Sequence, residues 1–268
     1  MSIDMYLPGL PAIAADFGVA TSAAQFTLTS FFIGLALGQA LHGPLADRYG
    51  RKPPLYVGLA LYIAASIGCA LATDIVTLIG LRFVQAVGGC AGIVISRAIV
   101  RDCCAPLAAA RVFSLLMLIM GLAPILAPFI GGWILWFAGW RAIFAVLALF
   151  GLGCLFAVWR LLPETRPANT IGSTGIGAAL RVYGELLVDR PFMGYVLSGG
   201  FAHAGMFAYI TGSPYVFIEF YGVSAQNFGW LFGLNALGLI ASSQVNRHLL
   251  LHYSTDTLLR RANRATVL

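Results

Sequence analysis

Charge is what this chain has least of. Of its 268 residues only 10% are Asp, Glu, Lys or Arg, while 60% are hydrophobic. Soluble domains carry about 25% charged residues, so a water-soluble globule is excluded. Cysteine is also scarce: Cys69, Cys90, Cys103, Cys104 and Cys154 contain no CxxC pair. That removes a zinc ribbon or a thioredoxin-like site and predicts free thiols with no metal bound. No HExxH, GxSxG, P-loop or GxGxxG stands in a credible strand–helix setting. Neither enzyme chemistry nor a cofactor is expected. The residues from Met1 to Leu7 lack the basic and apolar regions of a cleavable signal peptide.

What the chain does have is a succession of apolar runs. A helix needs about 20 mainly apolar residues to cross a bilayer. Seven such spans can be drawn, at 23–42, 54–73, 75–97, 110–136, 141–161, 192–217 and 227–246. Polar segments at 43–53, 98–109, 162–191 and 247–268 alternate with short charge-poor turns at 8–22, 73–74, 137–140 and 218–226. Of the 16 Lys and Arg residues, all but Arg82 and Arg141 fall in or beside the first set. This one-sided bias is the positive-inside signal, and it puts that set, with the C-terminus, in the cytoplasm. The net charge of +6 is therefore a topology signal spread over loops. It is not a patch for nucleic acid.

The 31 glycines suit helices that pack through small residues in lipid. The polar stretch from Pro163 to Pro191 reads as a linker between two bundles, with a mildly amphipathic piece at 178–187. A helix from Met1 to Pro8 would reach only about 10 Å into a core about 30 Å thick. Further apolar residues are thus expected upstream.

Few residues could carry chemistry. Asp4 is either a proton-titrating carboxylate facing a cavity or an ordinary N-cap of a short surface segment. Arg82 lies inside the third span, one turn before Gln85. It reads as a buried cation lining a pathway and paired with a carboxylate such as Asp4, in preference to a snorkelling arginine. The turn at 43–52 is either a conformational latch, with Arg51 pairing Asp102, or a basic loop that only sets topology. Ala123, Ala127 and Gly131 recur every four residues beside Pro124 and Pro128, and packing is the expected role of that seam. His203 is read as a packed histidine, and Tyr209 and Tyr215 as either ligand-lining or interfacial aromatics.

These residues resemble the landmarks of one family. The stretch Gly43-Pro44-Leu45-Ala46-Asp47-Arg48-Tyr49-Gly50-Arg51-Lys52 resembles motif A of the major facilitator superfamily, between its helices 2 and 3. Arg82 to Gly88 resembles the helix-4 motif B, and Ala123 through Pro128 to Gly131-Gly132 the helix-5 motif C of antiporters. Asp4 to Pro11 is similar to the helix-1 signature of bicyclomycin- and chloramphenicol-resistance drug–proton antiporters. Leu162-Pro163-Glu164-Thr165 and Ser213-Pro214-Tyr215 are similar to further landmarks.

The resemblance implies an all-α polytopic fold in the bacterial inner membrane that exchanges small amphipathic drug-like substrates for protons, working as a monomer. Asp4 and Arg82 would couple protons; Tyr6, Gln85, Tyr209 and Tyr215 would line the substrate cavity. Gly43, Asp47, Arg48, Gly50, Arg51 and Asp102 would form a conformational gate, and Ala127, Pro128, Gly131 and Gly132 a packing seam. The expected organisation is an N-terminal bundle at 1–165 with a shortened helix 1, a cytoplasmic linker at 166–191, and the start of a second bundle at 192–268. Helices 9 to 12 of the family would be absent, Asp47 would lack its partner helix, and the chain would not complete a transport cycle. The alternative is a membrane remnant of a disrupted transporter gene. The tail from Leu259 to Leu268 shows no family feature, which suggests a frameshift or truncation.

Overall fold

The computed structural model describes residues 1–165 and 176–249, together with Tyr253 and Leu258. The first ten residues of the expected linker and the tail at 259–268 lie outside the described residues. Every regular element among those described is helical.

The chain opens with a 3-10 turn, Leu7–Gly9, that runs into α1, Leu10–Asp16. The sequence reading placed 8–22 in a turn. Pro8 and Pro11 instead sit at first-turn positions, where a proline's missing N–H costs nothing and its fixed φ favours a helix. Gly18, at φ 64°, then ends α1 in the left-handed region. α2 is Thr21–Tyr49, α3 Lys52–Leu71 and α4 Ile75–Cys103. The expected polar loops at 43–53 and 98–109 are thus mostly helix. Pro44 lies inside α2, and only Gly50 and Arg51 separate α2 from α3. Asp74 caps α4, its carboxylate accepting the Thr77 N–H at 2.8 Å.

α5, Pro106–Leu161, holds the two expected spans at 110–136 and 141–161 as two arms. Gly139, at φ 75° and ψ 175°, breaks the helical path between them. The chain stays helical through Pro124 and Pro128. Within the expected linker, 176–188 forms α6, Ile176–Val188. α7, Arg190–Pro214, passes into a π-helical turn, Tyr215–Phe220, and α8 is Ala225–Leu249. Among the described residues four helices (α2, α3, α4 and α5) are long and apolar enough to cross a membrane. α7 and α8 are 25 residues long each.

α2 packs along α4, α3 fits between α4 and α5, and α8 lies along the first arm of α5. The main core gathers where the N-terminal segment enters this bundle. Tyr6, Leu7, Leu10 and Ile13 are buried with Phe144 and Leu147 of the second α5 arm. Outward faces remain apolar, as at Leu37, Leu118 and Phe150, as expected of helices facing acyl chains.

Close approach depends on missing side chains. A Cβ added at Gly88 of α4 would stand 2.6 Å from the Gly58 carbonyl oxygen and 2.6 Å from the Tyr62 nitrogen of α3. Both are backbone atoms and cannot swing aside. At Gly92, one turn along, a Cβ would meet nothing within 4 Å. Gly88→Ala is therefore expected to destabilise the protein by about 1–3 kcal/mol through overpacking. Gly92→Ala should be neutral or stabilising by up to about 1 kcal/mol, from helix propensity. Thermal unfolding of the two variants in one detergent makes the comparison.

Candidate functional site

Arg82 is the centre of the buried polar chemistry. Its side chain is 0% exposed, the largest fully buried one among the described residues. Nη1 donates to Gln85 Oε1 at 2.6 Å and to the Ser2 carbonyl at 3.1 Å. Its Cζ stands 4.2 Å from the ring centre of Phe31, 4.5 Å from Tyr6 and 5.7 Å from Phe144. Three aromatic faces thus replace water around the cation.

The network continues outward from Gln85. Its Nε2 donates to Ser66 Oγ at 2.7 Å, and Ser66 donates to the Tyr62 carbonyl at 2.6 Å. The Tyr62 and Ser2 hydroxyls share a hydrogen bond of 2.7 Å, and those of Tyr6 and Thr27 one of 2.8 Å. Arg82 Nε and Nη2 have no hydrogen-bond partner among the described residues. These two nitrogens share one edge of the guanidinium, the edge that can grip both oxygens of a carboxylate.

The expected ion pair between Asp4 and Arg82 is not formed. Asp4 Oδ2 instead lies 3.5 Å from the Met1 amino group, while Arg82 reaches the backbone of Ser2. Asp4 belongs to the turn just before the buried Met5–Leu10 segment, so its carboxylate and the free edge of Arg82 are carried on adjoining elements without meeting.

Of the four expected cavity residues, Tyr6 and Gln85 are buried around Arg82. Tyr209 stacks on Phe232 of α8 with ring centres 5.9 Å apart. Tyr215 starts the π-helical turn and is 47% exposed. His203 Nδ1 donates to the Gly199 carbonyl of its own helix, 2.8 Å away, on an exposed face. A groove of about 590 Å³ does exist, but it lies on the bend of α5, lined by apolar groups such as Phe129, Trp133, Phe137 and Val146. It contains none of the expected residues and offers no polar group to orient a ligand. Trp133, Trp136 and Phe137 there resemble an interfacial aromatic belt.

A second polar cluster closes one end of the bundle. Arg51 Nε donates to Asp102 Oδ2 at 2.8 Å, and Arg51 Nη1 to Asp47 Oδ1 at 2.9 Å. Burial works against the Arg51 charge, but the Asp102 and Asp47 carboxylates more than offset it, so its pKa stands above the ordinary arginine value. Arg48 is exposed beside Tyr49, and Gly43 has open space around it; neither enters the cluster. Gly50, at φ 88°, turns the chain here, and a Cβ on it would come within 2.9 Å of Glu164.

Glu164, which the sequence marks only as part of a landmark, has a definite task in the structure. Its carboxylate accepts the Arg51 and Lys52 N–H groups at 2.9 and 3.0 Å. It therefore caps α3, whose own N-cap residue supplies no side-chain bond. Residues 50 and 164 are far apart in sequence, and nothing in the local pattern announces the contact.

The packing seam faces two ways. Ala127 is fully buried. A Cβ at Gly131 would collide with the Met5 carbonyl, and one at Gly132 would stand 2.6 Å from the Ala225 carbonyl. The far end is tied by Arg141 Nη1 on Asp16 at 2.6 Å, by Thr21 Oγ1 on Glu219 at 2.6 Å, and by Gln25 Nε2 on the Thr211 carbonyl at 3.4 Å. The Arg141 guanidinium holds the Asp16 carboxyl below its usual range.

The profile described as Major Facilitator Superfamily matches residues 1–263. The chain is 44% identical over 245 residues to the uncharacterized MFS-type transporter YdgK of Bacillus subtilis, covering 91% of this chain and 61% of that protein. It is 34% identical over 258 residues to a bicyclomycin resistance protein homolog of Haemophilus influenzae, covering 96% of this chain and 65% of that one. The chain thus spans a little under two thirds of the relatives it matches. Among solved structures, a bacterial homolog of the human lysosomal transporter Spinster superposes with a TM-score of 0.73 at 17% identity, covering 94% of this chain and 60% of that one. The buried arginine on α4, the charge cluster between α2 and α3 and the small-residue seam of α5 are features of a multi-pass membrane protein, and this chain belongs to the major facilitator superfamily.

Proposed function

We propose that this chain carries the proton-coupling half of a drug–proton antiporter of the bacterial inner membrane, with the charged end of the bundle and the C-terminus in the cytoplasm. The observation that carries the reading is the Arg82 guanidinium, buried away from solvent with one edge unfilled. A buried cation with two idle donor nitrogens is costly. It is retained where a second state fills it. In this reading Asp4, on the adjoining segment, is the carboxylate that does so once that segment shifts.

In this reading Asp4 takes up a proton in one state and yields it in another, where Arg82 stabilises the carboxylate. Gln85 and the rings of Tyr6, Phe31 and Phe144 hold the guanidinium in place meanwhile. The drug-resistance relatives suggest the exported class, small amphipathic molecules. Arg51, between Asp47 and Asp102, acts as the gate that locks one end of the bundle, and residues 1–165 act as one rocking unit. The protein works as a monomer with no cofactor.

A second reading is a membrane module that inserts without transporting, in which Arg82 serves only as an anchor held by Ser2, Gln85 and three aromatic rings. Expressing the 268-residue chain in a drug-sensitive strain separates the two: raised resistance supports export, and unchanged resistance with the protein present in the membrane supports the second.

Three measurements follow from the site. In proteoliposomes, Asp4→Asn should abolish drug-driven proton movement while leaving drug binding within about twofold; unchanged coupling removes Asp4 from the mechanism. Arg82→Lys keeps the charge and loses the two-nitrogen edge, and should slow exchange at least about tenfold, or ~1.4 kcal/mol. Glu164→Ala strips the cap from α3 and should cost about 0.5–2 kcal/mol in thermal unfolding, with Glu164→Gln losing less because one acceptor remains.

A further inference from the structure

Pro44 stands inside α2, a helix that runs from Thr21 to Tyr49. A proline has no N–H, so the carbonyl four residues earlier, that of Ala40, loses its helical donor. An unfilled carbonyl near the edge of the hydrocarbon is unfavourable. The donor comes from a distant part of the chain: the Tyr183 hydroxyl donates to the Ala40 oxygen at 3.0 Å, across 143 positions.

Tyr183 is well placed for this. It lies on α6, at the middle of a face that also carries Leu180 and Leu187, while Arg181 and Glu185 pair at 3.1 Å on the opposite side. α6 touches α2 through this bond and is also in contact with α7. Asp47 follows Ala40 by two turns on the same helix and bonds Arg51. The contact therefore joins the helix that leads into α7 to the end of α2 that bears the charge cluster.

We propose that Tyr183 is a latch: its hydroxyl docks α6 onto the one carbonyl that Pro44 leaves without a helical partner, so that α6 and the charged end of α2 move as a unit. Its consequence for transport rests on the reading of Asp47, Arg51 and Asp102 as a gate. The docking itself does not.

The test is a two-residue cycle on the full chain in lipid nanodiscs, read by hydrogen–deuterium exchange of peptides covering 176–188. Tyr183→Phe removes only the hydroxyl and should raise exchange across α6 by about 2- to 10-fold, the range of one net hydrogen bond. Pro44→Ala returns an N–H to the Ala40 carbonyl. In that background Tyr183→Phe should change exchange by less than about twofold, because the acceptor is already satisfied. Equal effects in both backgrounds, or none in either, overturn the latch. Resistance assays of the same variants report separately: a coupled exchange response with unchanged resistance keeps the latch and removes its link to the gate.

Discussion

No water is available inside the hydrocarbon, so each polar group of this chain has to find its partner within the protein. The helices answer that demand for most of the backbone. The remaining polar groups decide how the helices are arranged. Arg82 is the extreme case. It brings Ser2, Gln85 and three aromatic rings from four separate elements onto one guanidinium. The N-terminal segment, α2, α4 and the second arm of α5 are all organised by that requirement. Two of its nitrogens stay without a partner, which makes the same residue both an anchor and a stored imbalance.

The second constraint is distance. Apolar side chains gain nothing by leaving lipid for one another, so helix association relies on backbone proximity. Gly58 with Gly88, and Gly34 and Gly38 of α2 against Phe83 and Cys90 of α4, bring α3 and α2 onto α4. Gly131 and Gly132 do the same for the N-terminal segment and α8 on adjacent faces of one helix. The charge cluster closes the bundle end once those seams are made. Arg51 can reach Asp102 because α2, α3 and α4 already lie side by side, and Glu164 can cap α3 because α5 returns to the same end.

Much of this was legible beforehand. The apolar runs, the charge asymmetry and the small-residue spacing are local or periodic, and they announced an all-helical membrane protein with α2 to α5 close to where they stand. Charge alone left the Arg51–Asp102 pairing as one of two readings of that turn, and the bond forms at 2.8 Å. The boundaries were not legible. Prolines at 8, 11 and 44 read as breaks, yet a first-turn proline sacrifices no hydrogen bond, and the one inside α2 has its orphaned carbonyl supplied from α6. Asp4 and Arg82 were expected to touch because opposite charges in an apolar span seek each other. The structure shows Arg82 held instead by the Ser2 carbonyl and Gln85, while the Asp4 carboxylate lies beside the Met1 amino group.

The amino-acid sequence by itself determined the solvent, the fold class and the orientation bias, since these depend on composition and on spacing within single segments. It also marked Arg82, because a cation amid apolar residues needs no partner to be noticed. Only the tertiary structure decided who the partners are. Glu164 on the N–H groups of Arg51 and Lys52, Tyr183 on Ala40, and the rings around Arg82 join residues between 50 and 150 positions apart. Such contacts come from how helices stack, and helix stacking is a property of several faces at once, which no one segment encodes.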